Sequence, residues 1–454
     1  QPQTQETESM FKKGDEVAPI DKSTVKLVDP SGNEVTTLPA TKDGKEVGTY
    51  TIDPTTGVIT FQPNKDFTGT PDPAKVVAKD TNGTKVETTY TPTVTPVVPT
   101  AEPKETTGKQ GQPQTQETES MFKKGDEVAP IDKSTVKLVD PSGNEVTTLP
   151  ATKDGKEVGT YTIDPTTGVI TFQPNKDFVG TPDPAKVVAK DTNGTKVETT
   201  YTPTVTPVTP TGKPVTSEGK QGQEQTGKPT FTQGDETAPI TITPEQPAKF
   251  VVNGQPVDST EIPATKDGKE IGKYTIDPTT GLVTFKPNKD FTGTPDPATV
   301  EVKDKNGTPA TATYTPTVTP VVPTAEPKET TGKQGQPQTQ ETESMFKKGD
   351  EVAPIDKSTV KLVDPSGNEV TTMPALKDGK EVGTYTIDPT TGVITFQPNK
   401  DFTGTPDPAK VVAKDTNGTK VETTYTPTVT PVIPTAEPKE TTGKQGQPQT
   451  QETE

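Results

Sequence analysis

The sequence predicts an all-β protein: a tandem array of four small antiparallel β-sandwich domains joined by Pro/Thr/Gln-rich linkers. Three observations carry this. The stretch Tyr50-Thr51-Ile52-Asp53-Pro54-Thr55-Thr56-Gly57-Val58-Ile59-Thr60-Phe61 sets two alternating runs either side of a turn, a β-hairpin signature. It returns at 161–172, 274–285 and 385–396. Turn signals fall every few residues with no helical periodicity between them, which favours a sandwich of about seven short strands per copy. Finally, Gln1-Pro2-Gln3-Thr4-Gln5 restarts at Gln112, in altered form at Gln223, and again at Gln336 and Gln447. A period near 110 residues is a whole domain, too long for a solenoid or propeller unit. Because the sequence begins and ends at the same point of the repeat, it is expected to be cut from a longer array.

Taken in order, residues 1–8 carry no apolar side chain and read as linker. Phe11 and Val17-Ala18-Pro19-Ile20 open the first domain, the proline marking an entering or edge strand. Thr24 to Val28 is a strand, turned by Asp29-Pro30-Ser31-Gly32-Asn33 into Val35 to Leu38. Lys42-Asp43-Gly44-Lys45 connects to the central hairpin. There Tyr50 and Ile52 share one face and Ile59 and Phe61 another pair of like-facing positions, while Asp53-Pro54 and Gly57 supply the turn. A loop from Pro63 to Pro73, with Phe67 as its anchor, leads to a last hairpin, Lys75–Lys79 and Lys85–Val94. Its Asn82-Gly83 predicts a two-residue type I′ turn.

In the third copy Glu301 stands where the first has Val77, so Val76 and Ala78 are expected to face inward and Val77 outward. By the same comparison Val86 and Tyr90 are expected inside and Glu87 outside. The expected domains are 9–98, 120–209, 230–322 (divergent in its first half) and 344–433. The segments 99–119, 210–229 and 323–343 are expected linkers, and 434–454 a linker with the start of a further repeat.

Composition narrows the function. Only 25% of residues are hydrophobic and 52 are proline, so the cores are expected to be thin and each domain marginally stable. The chain has no Cys, His or Trp, and its 47 basic residues are all Lys. Disulfides, thiolate chemistry, imidazole bases and Cys/His zinc sites are thereby excluded. A net charge of −17 without arginine argues against a nucleic-acid surface. No apolar run approaches the ~20 residues of a membrane-crossing helix, so no membrane insertion is expected.

The strings Gly48-Thr49-Tyr50-Thr51-Ile52-Asp53-Pro54-Thr55-Thr56-Gly57 through Pro63, Phe67-Thr68-Gly69-Thr70-Pro71-Asp72-Pro73-Ala74, Asp80-Thr81-Asn82-Gly83 and Tyr90-Thr91-Pro92 resemble the CshA-type fibril repeats of streptococcal cell-wall-anchored surface adhesins. The likeness covers every repeat and is weakest over 237–262. It implies a stalk on the bacterial surface that projects a distal adhesive region, with host-protein binding, notably to fibronectin, belonging to another part of the parent protein. Its implied partners are the neighbouring repeats and other fibrils. The rival reading is a multivalent module whose repeats each grip a host protein or glycan weakly and gain by avidity.

Local motifs have plainer readings. Leu38-Pro39-Ala40-Thr41 resembles the start of a sortase signal, but Lys42 follows, and the third and fourth copies carry Ile262 and Met373-Pro374-Ala375-Leu376. It reads as a strand end. Asp53 to Gly57 and Asp80 to Gly83 lack the ligand series of a calcium loop and read as turns. Asn82-Gly83-Thr84 fits a glycosylation pattern and equally a turn. Lys26, with Val251 expected at its place in the third copy, was the residue to weigh for a Lys–Asn isopeptide link, and alternation puts it on the outer face. Carboxylate pairs such as Asp15/Glu16 and Asp72/Asp80 are inevitable among 64 acidic residues. No catalytic, cofactor-binding or metal-binding residue is assigned, and the protein is expected not to be an enzyme.

Overall fold

Strands form 52% of the chain and helix 2% in the computed structural model, which describes residues 1–454, so the all-β expectation holds. By internal packing the chain divides into two units. One holds Gln1–Thr209 with Asp235–Ala238 and Asn306–Thr308; the other holds Pro210–Gly234, Pro239–Lys305 and Pro309–Glu454.

In the first unit the second repeat shows the architecture in full. One sheet runs in the order Lys104–Lys109, Lys196–Thr206, Ala185–Asp191, Ile131–Val139, Glu145–Val146. The other runs Gln114–Gln116, Ile170–Pro174, Lys156–Ile163, Thr148–Lys153. Between them lie Val136, Leu138, Tyr161, Ile163, Ile170, Phe172, Val187 and Tyr201, all buried. These are the alternate residues of their strands, as two facing inner surfaces require. The central hairpin pairs Tyr161 with Phe172 and Ile163 with Ile170. The Tyr161 ring then lies 5.2 Å from Phe172 and 6.1 Å, edge-on, from Tyr201. In the first repeat Asp53 Oδ1 accepts the amides of Thr55 and Thr56 at 2.8 and 2.9 Å, which explains this aspartate by turn chemistry.

The second unit repeats both sheets. Its fourth repeat orders them Lys328–Lys333, Lys420–Thr430, Ala409–Asp415, Ile355–Val363, Glu369–Val370 and Gln338–Gln340, Ile394–Pro398, Lys380–Ile387, Thr372–Lys377. The divergent third repeat keeps the fold with a shorter hairpin, Lys249–Val252 to Gln255–Val257.

The structure corrects several expectations. The segments expected to be linkers carry strands. Residues 99–119 contain Thr100–Ala101, Lys104–Lys109 and Gln114–Gln116, and 210–229 and 323–343 contain their counterparts. Lys104–Lys109 lies parallel to Tyr201–Thr206 of the domain that follows it, with Lys104 opposite Tyr201 and Lys109 opposite Thr206. One such parallel pair occurs in each of the second, third and fourth repeats; all other pairings are antiparallel. An edge strand alternating between exposed and half-buried positions is held by backbone hydrogen bonds, so its polar composition hid it. Residues 434–454 carry no strand and are exposed throughout.

The Asn82-Gly83 turn is also different. Gly83 has φ 84° but Asn82 is not in the left-handed region, and Asp80 N bonds Thr84 O. This is a three-residue loop in which Asp80 Oδ1 accepts Thr84 N at 2.8 Å, so the aspartate, absent from a simple Asn-Gly argument, selects the longer turn. Val77 is buried although it lies outside the core cluster, and Val86 is 43% exposed. Lys26 pairs with Val77 and Lys249 with Glu301, so the third copy's counterpart of Lys26 is Lys249, not Val251.

Gly159 sits where the two sheets press closest. A Cβ there would lie 2.6 Å from Gln173 O and 2.9 Å from Phe172 Cε1. The backbone carbonyl belongs to the paired strand and cannot retreat. Gly159→Ala is expected to destabilise its repeat by about 1–3 kcal/mol, read as a lower denaturation midpoint for the first unit.

Candidate functional site at the repeat junction

The structure draws no catalytic constellation from the sequence-level candidates. Leu38 to Thr41 lies within the strand Thr37–Lys42, paired to Lys45–Ile52. Asp72 is engaged in fold contacts: its N–H bonds Thr41 O, its carbonyl accepts the Tyr50 hydroxyl, and Oδ2 accepts Thr41 Oγ1 at 3.2 Å. The Tyr50 hydroxyl is pushed up to about 12 by burial first, then by Tyr90 and Asp72, and serves as a donor. On the lysine weighed for cross-linking, the second-repeat counterpart Lys137 extends Nζ to Ser134 O at 3.3 Å.

What the structure does build is a junction between consecutive repeats, best seen in the second unit. The chain leaves the third repeat at Thr319 and enters the strand Thr324–Ala325 four residues later, through Pro320-Val321-Val322-Pro323. Gln221, 5% exposed, holds this crossing. Its N–H bonds Thr319 O at 2.8 Å, its Nε2 donates to Lys289 O at 2.9 Å, and its Oε1 accepts Val321 N at 3.1 Å. Its own carbonyl accepts Asn417 Nδ2 from the fourth repeat at 3.1 Å. One side chain and one peptide unit thus satisfy four groups at a buried site, where an unmade bond costs most.

Two neighbours complete the junction. Gly222, at φ +81°, lets the Asn417 amide rest on its backbone; a Cβ would fall 2.2 Å from Asn417 Oδ1. Lys220 Nζ meets Asp350 Oδ2 at 2.6 Å. The first unit holds the same set. Asn306 Nδ2 donates to Gln110 O at 3.2 Å, Gln110 Oε1 accepts Val208 N at 3.1 Å, and Lys109 pairs with Asp235 at 2.5 Å. The Lys-Gln-Gly triplet lies in what composition marked as linker, and its signal was present only as recurrence: Lys109-Gln110-Gly111, Lys220-Gln221-Gly222 and Lys333-Gln334-Gly335.

A second recurring feature is a groove of about 550 Å³ in the second repeat, lined by Phe122, Lys123, Lys124, Pro130, Ile131 and Lys133. Counterparts of about 610 and 510 Å³ lie in the first and fourth repeats. In the third copy Thr232 and Gln233 replace the paired lysines.

Tandem β-sandwich repeats with built junctions between them define a class of extracellular-type repeat protein. The chain belongs to the family of the surface adhesin CshA repetitive domain, which matches residues 1–94, 96–205, 207–318 and 320–429. Among solved structures it is similar to mouse cadherin-23 EC22-24, at 14% identity over 74% of this chain and 100% of that one, with a TM-score of 0.29. It is also similar to PcdhgB3 EC1-4, at 12% identity over 90% and 92% with a TM-score of 0.27, and to the I9-I11 tandem of titin, at 12% over 74% and 99% with a TM-score of 0.28. No curated protein is similar to the chain. No helix is long and apolar enough to cross a membrane.

The junction makes two testable predictions. Gly222→Ala and Gly335→Ala each incur about 1–2 kcal/mol of left-handed strain, but a Cβ at Gly335 meets nothing within 4 Å. Gly222→Ala is therefore expected to lose about 1 kcal/mol more, the Asn417 bond, in calorimetry of the second unit. The second concerns acid. Lys220 holds the Asp350 carboxyl below its usual range, helped by the Val352 amide, and Lys109, with the Thr237 amide and hydroxyl, pushes Asp235 down to about 2. A carboxyl depressed in the folded state stabilises above its unfolded pKa of about 3.9 and loses that contribution as pH falls through the folded value. Denaturant midpoints are expected to fall from pH 5 to pH 2, and by less in Lys220→Gln.

Proposed function

We propose that these are structural stalk repeats of a bacterial surface fibril, cell-wall anchored through parts outside these residues, which hold a distal adhesive region away from the wall. The repeats themselves catalyse nothing in this reading. The observation that carries it is the Gln221 junction. A spacer needs reach that does not collapse, and a crossing of four residues with a buried Val321 and bonded ends leaves little chain to hinge. Each folded repeat contributes ~30–40 Å by the compact-domain size rule. Family membership supports the surface setting.

The groove beside Phe122 favours a second reading, multivalent binding, because it recurs in three repeats with paired lysines over an apolar floor. The two readings part on adhesion. Replacing the groove lysines by Thr and Gln, the third copy's residues, is expected to leave adhesion unchanged for a stalk and to abolish it for a binding array.

Small-angle scattering tests the stalk itself. A collapsed body of this length has a radius of gyration near ~22 Å, and an unfolded chain approaches ~80 Å. The stalk requires a radius far above the first value together with the Kratky peak of folded domains. A radius near the compact value would overturn it.

A further inference from the structure

We propose that the 454-residue chain associates head to tail with a second copy of itself by strand complementation: residues 435–444 of one molecule complete the open sheet edge at Tyr90–Thr95 of another. The edge and the segment are each seen both paired and unpaired within the same chain. Lys-Glu-Thr-Thr-Gly-Lys occurs at 104–109, 328–333 and 439–444. The first two are strands lying parallel to Tyr201–Thr206 and Tyr425–Thr430. The third is coil and exposed. The edge sequence Tyr-Thr-Pro-Thr-Val-Thr is identical at 90–95, 201–206 and 425–430. Where the parallel strand is present, the edge strand runs eleven residues, Lys196–Thr206 and Lys420–Thr430. In the first repeat it stops after six, Lys85–Tyr90, and pairs on one side only.

The difference reaches the core. Tyr201 and Tyr425 are 0% exposed and Val205 and Val429 no more than 2%, whereas Tyr90 and Val94 are only half-buried. The paired tyrosines are latched through their hydroxyls, Tyr201 to Thr106 and Tyr425 to Thr330 at 2.5 Å, with Thr106 donating on to Gln114. Thr441 stands at the same place in the exposed segment, and Gln3 already occupies the place of Gln114, its Nε2 donating to Thr93 O. Just upstream, Thr100–Ala101 pairs with Phe122–Lys123. Thr435-Ala436 and Phe11-Lys12 carry the same residues. The register is thereby fixed: Lys439 opposite Tyr90, Lys444 opposite Thr95, and Thr435-Ala436 antiparallel to Phe11-Lys12. Backbone bonds supply affinity and the Tyr90 and Val94 positions specificity, as in other strand additions. Because donor and acceptor surfaces differ, the contact is heterologous and propagates into chains of molecules.

Sedimentation of the full chain over a range of concentrations tests this. The mass is expected to rise with concentration, to fall to the monomer when a peptide of residues 434–446 is added, and to be unmoved by a scrambled peptide. Ending the chain at Ile433, which removes only exposed coil, is expected to abolish association and to leave an edge that binds the peptide. Tyr90→Phe, which keeps the ring and removes the hydroxyl latch, is expected to weaken association roughly five- to tenfold. A full chain that stays monomeric at every concentration, or an assembly that survives both peptide and truncation, overturns the proposal.

Discussion

The repeats depend on one contact, the buried tyrosine at the sheet edge and the parallel strand that covers it. A tyrosine can fill a core only if its hydroxyl finds a partner. In the second repeat that partner is Thr106, on a strand contributed from before the rest of the domain. With the strand in place, the Tyr161–Tyr201 edge-on pair is sealed and Val205 closes beneath it. In the first repeat, without it, the same tyrosine is half-exposed and the edge strand loses five residues of regular pairing relative to its equivalents. A thin core gains its last layer from a polar strand. That strand is stabilised by its backbone bonds and the residues it shields more than by any apolar content of its own.

The same device produces the junction. The covering strand must turn back into the next sheet, and Lys220-Gln221-Gly222 makes that turn. Gln221 is placed by the strand it ends, so its amide reaches both the outgoing crossing at Val321 and the neighbouring loop at Lys289. Completing a domain and docking the next one are therefore a single structural event. That suits a stalk, in which stiffness has to be generated at each joint and cannot be added afterwards. The Lys220–Asp350 pair, largely solvent-facing, contributes orientation and little energy.

Much of the fold was legible. Tyr50, Ile52, Ile59 and Phe61 all face the core, because period-two alternation in a half-buried strand has one solution. The turn at Asp53 was equally readable, since its aspartate and glycine act locally. Misreadings arose where the deciding partner was remote or where a second local group competed. Asn82-Gly83 gave way to Asp80 capping Thr84. Alternation alone does not show that Val77, on the far face, is also covered.

By itself the sequence determined the class of fold, the number of repeats and the central hairpin, because propensity, alternation and recurrence are properties of adjacent residues. The tertiary structure alone decided where one repeat ends and the next begins. Lys-Glu-Thr-Thr-Gly-Lys is strand at 104–109 and coil at 439–444 with no change of residue. Its conformation is set by whether a tyrosine-bearing edge lies beside it. An edge strand owes its structure to the backbone of its neighbour, and that neighbour is some hundred residues away in the chain.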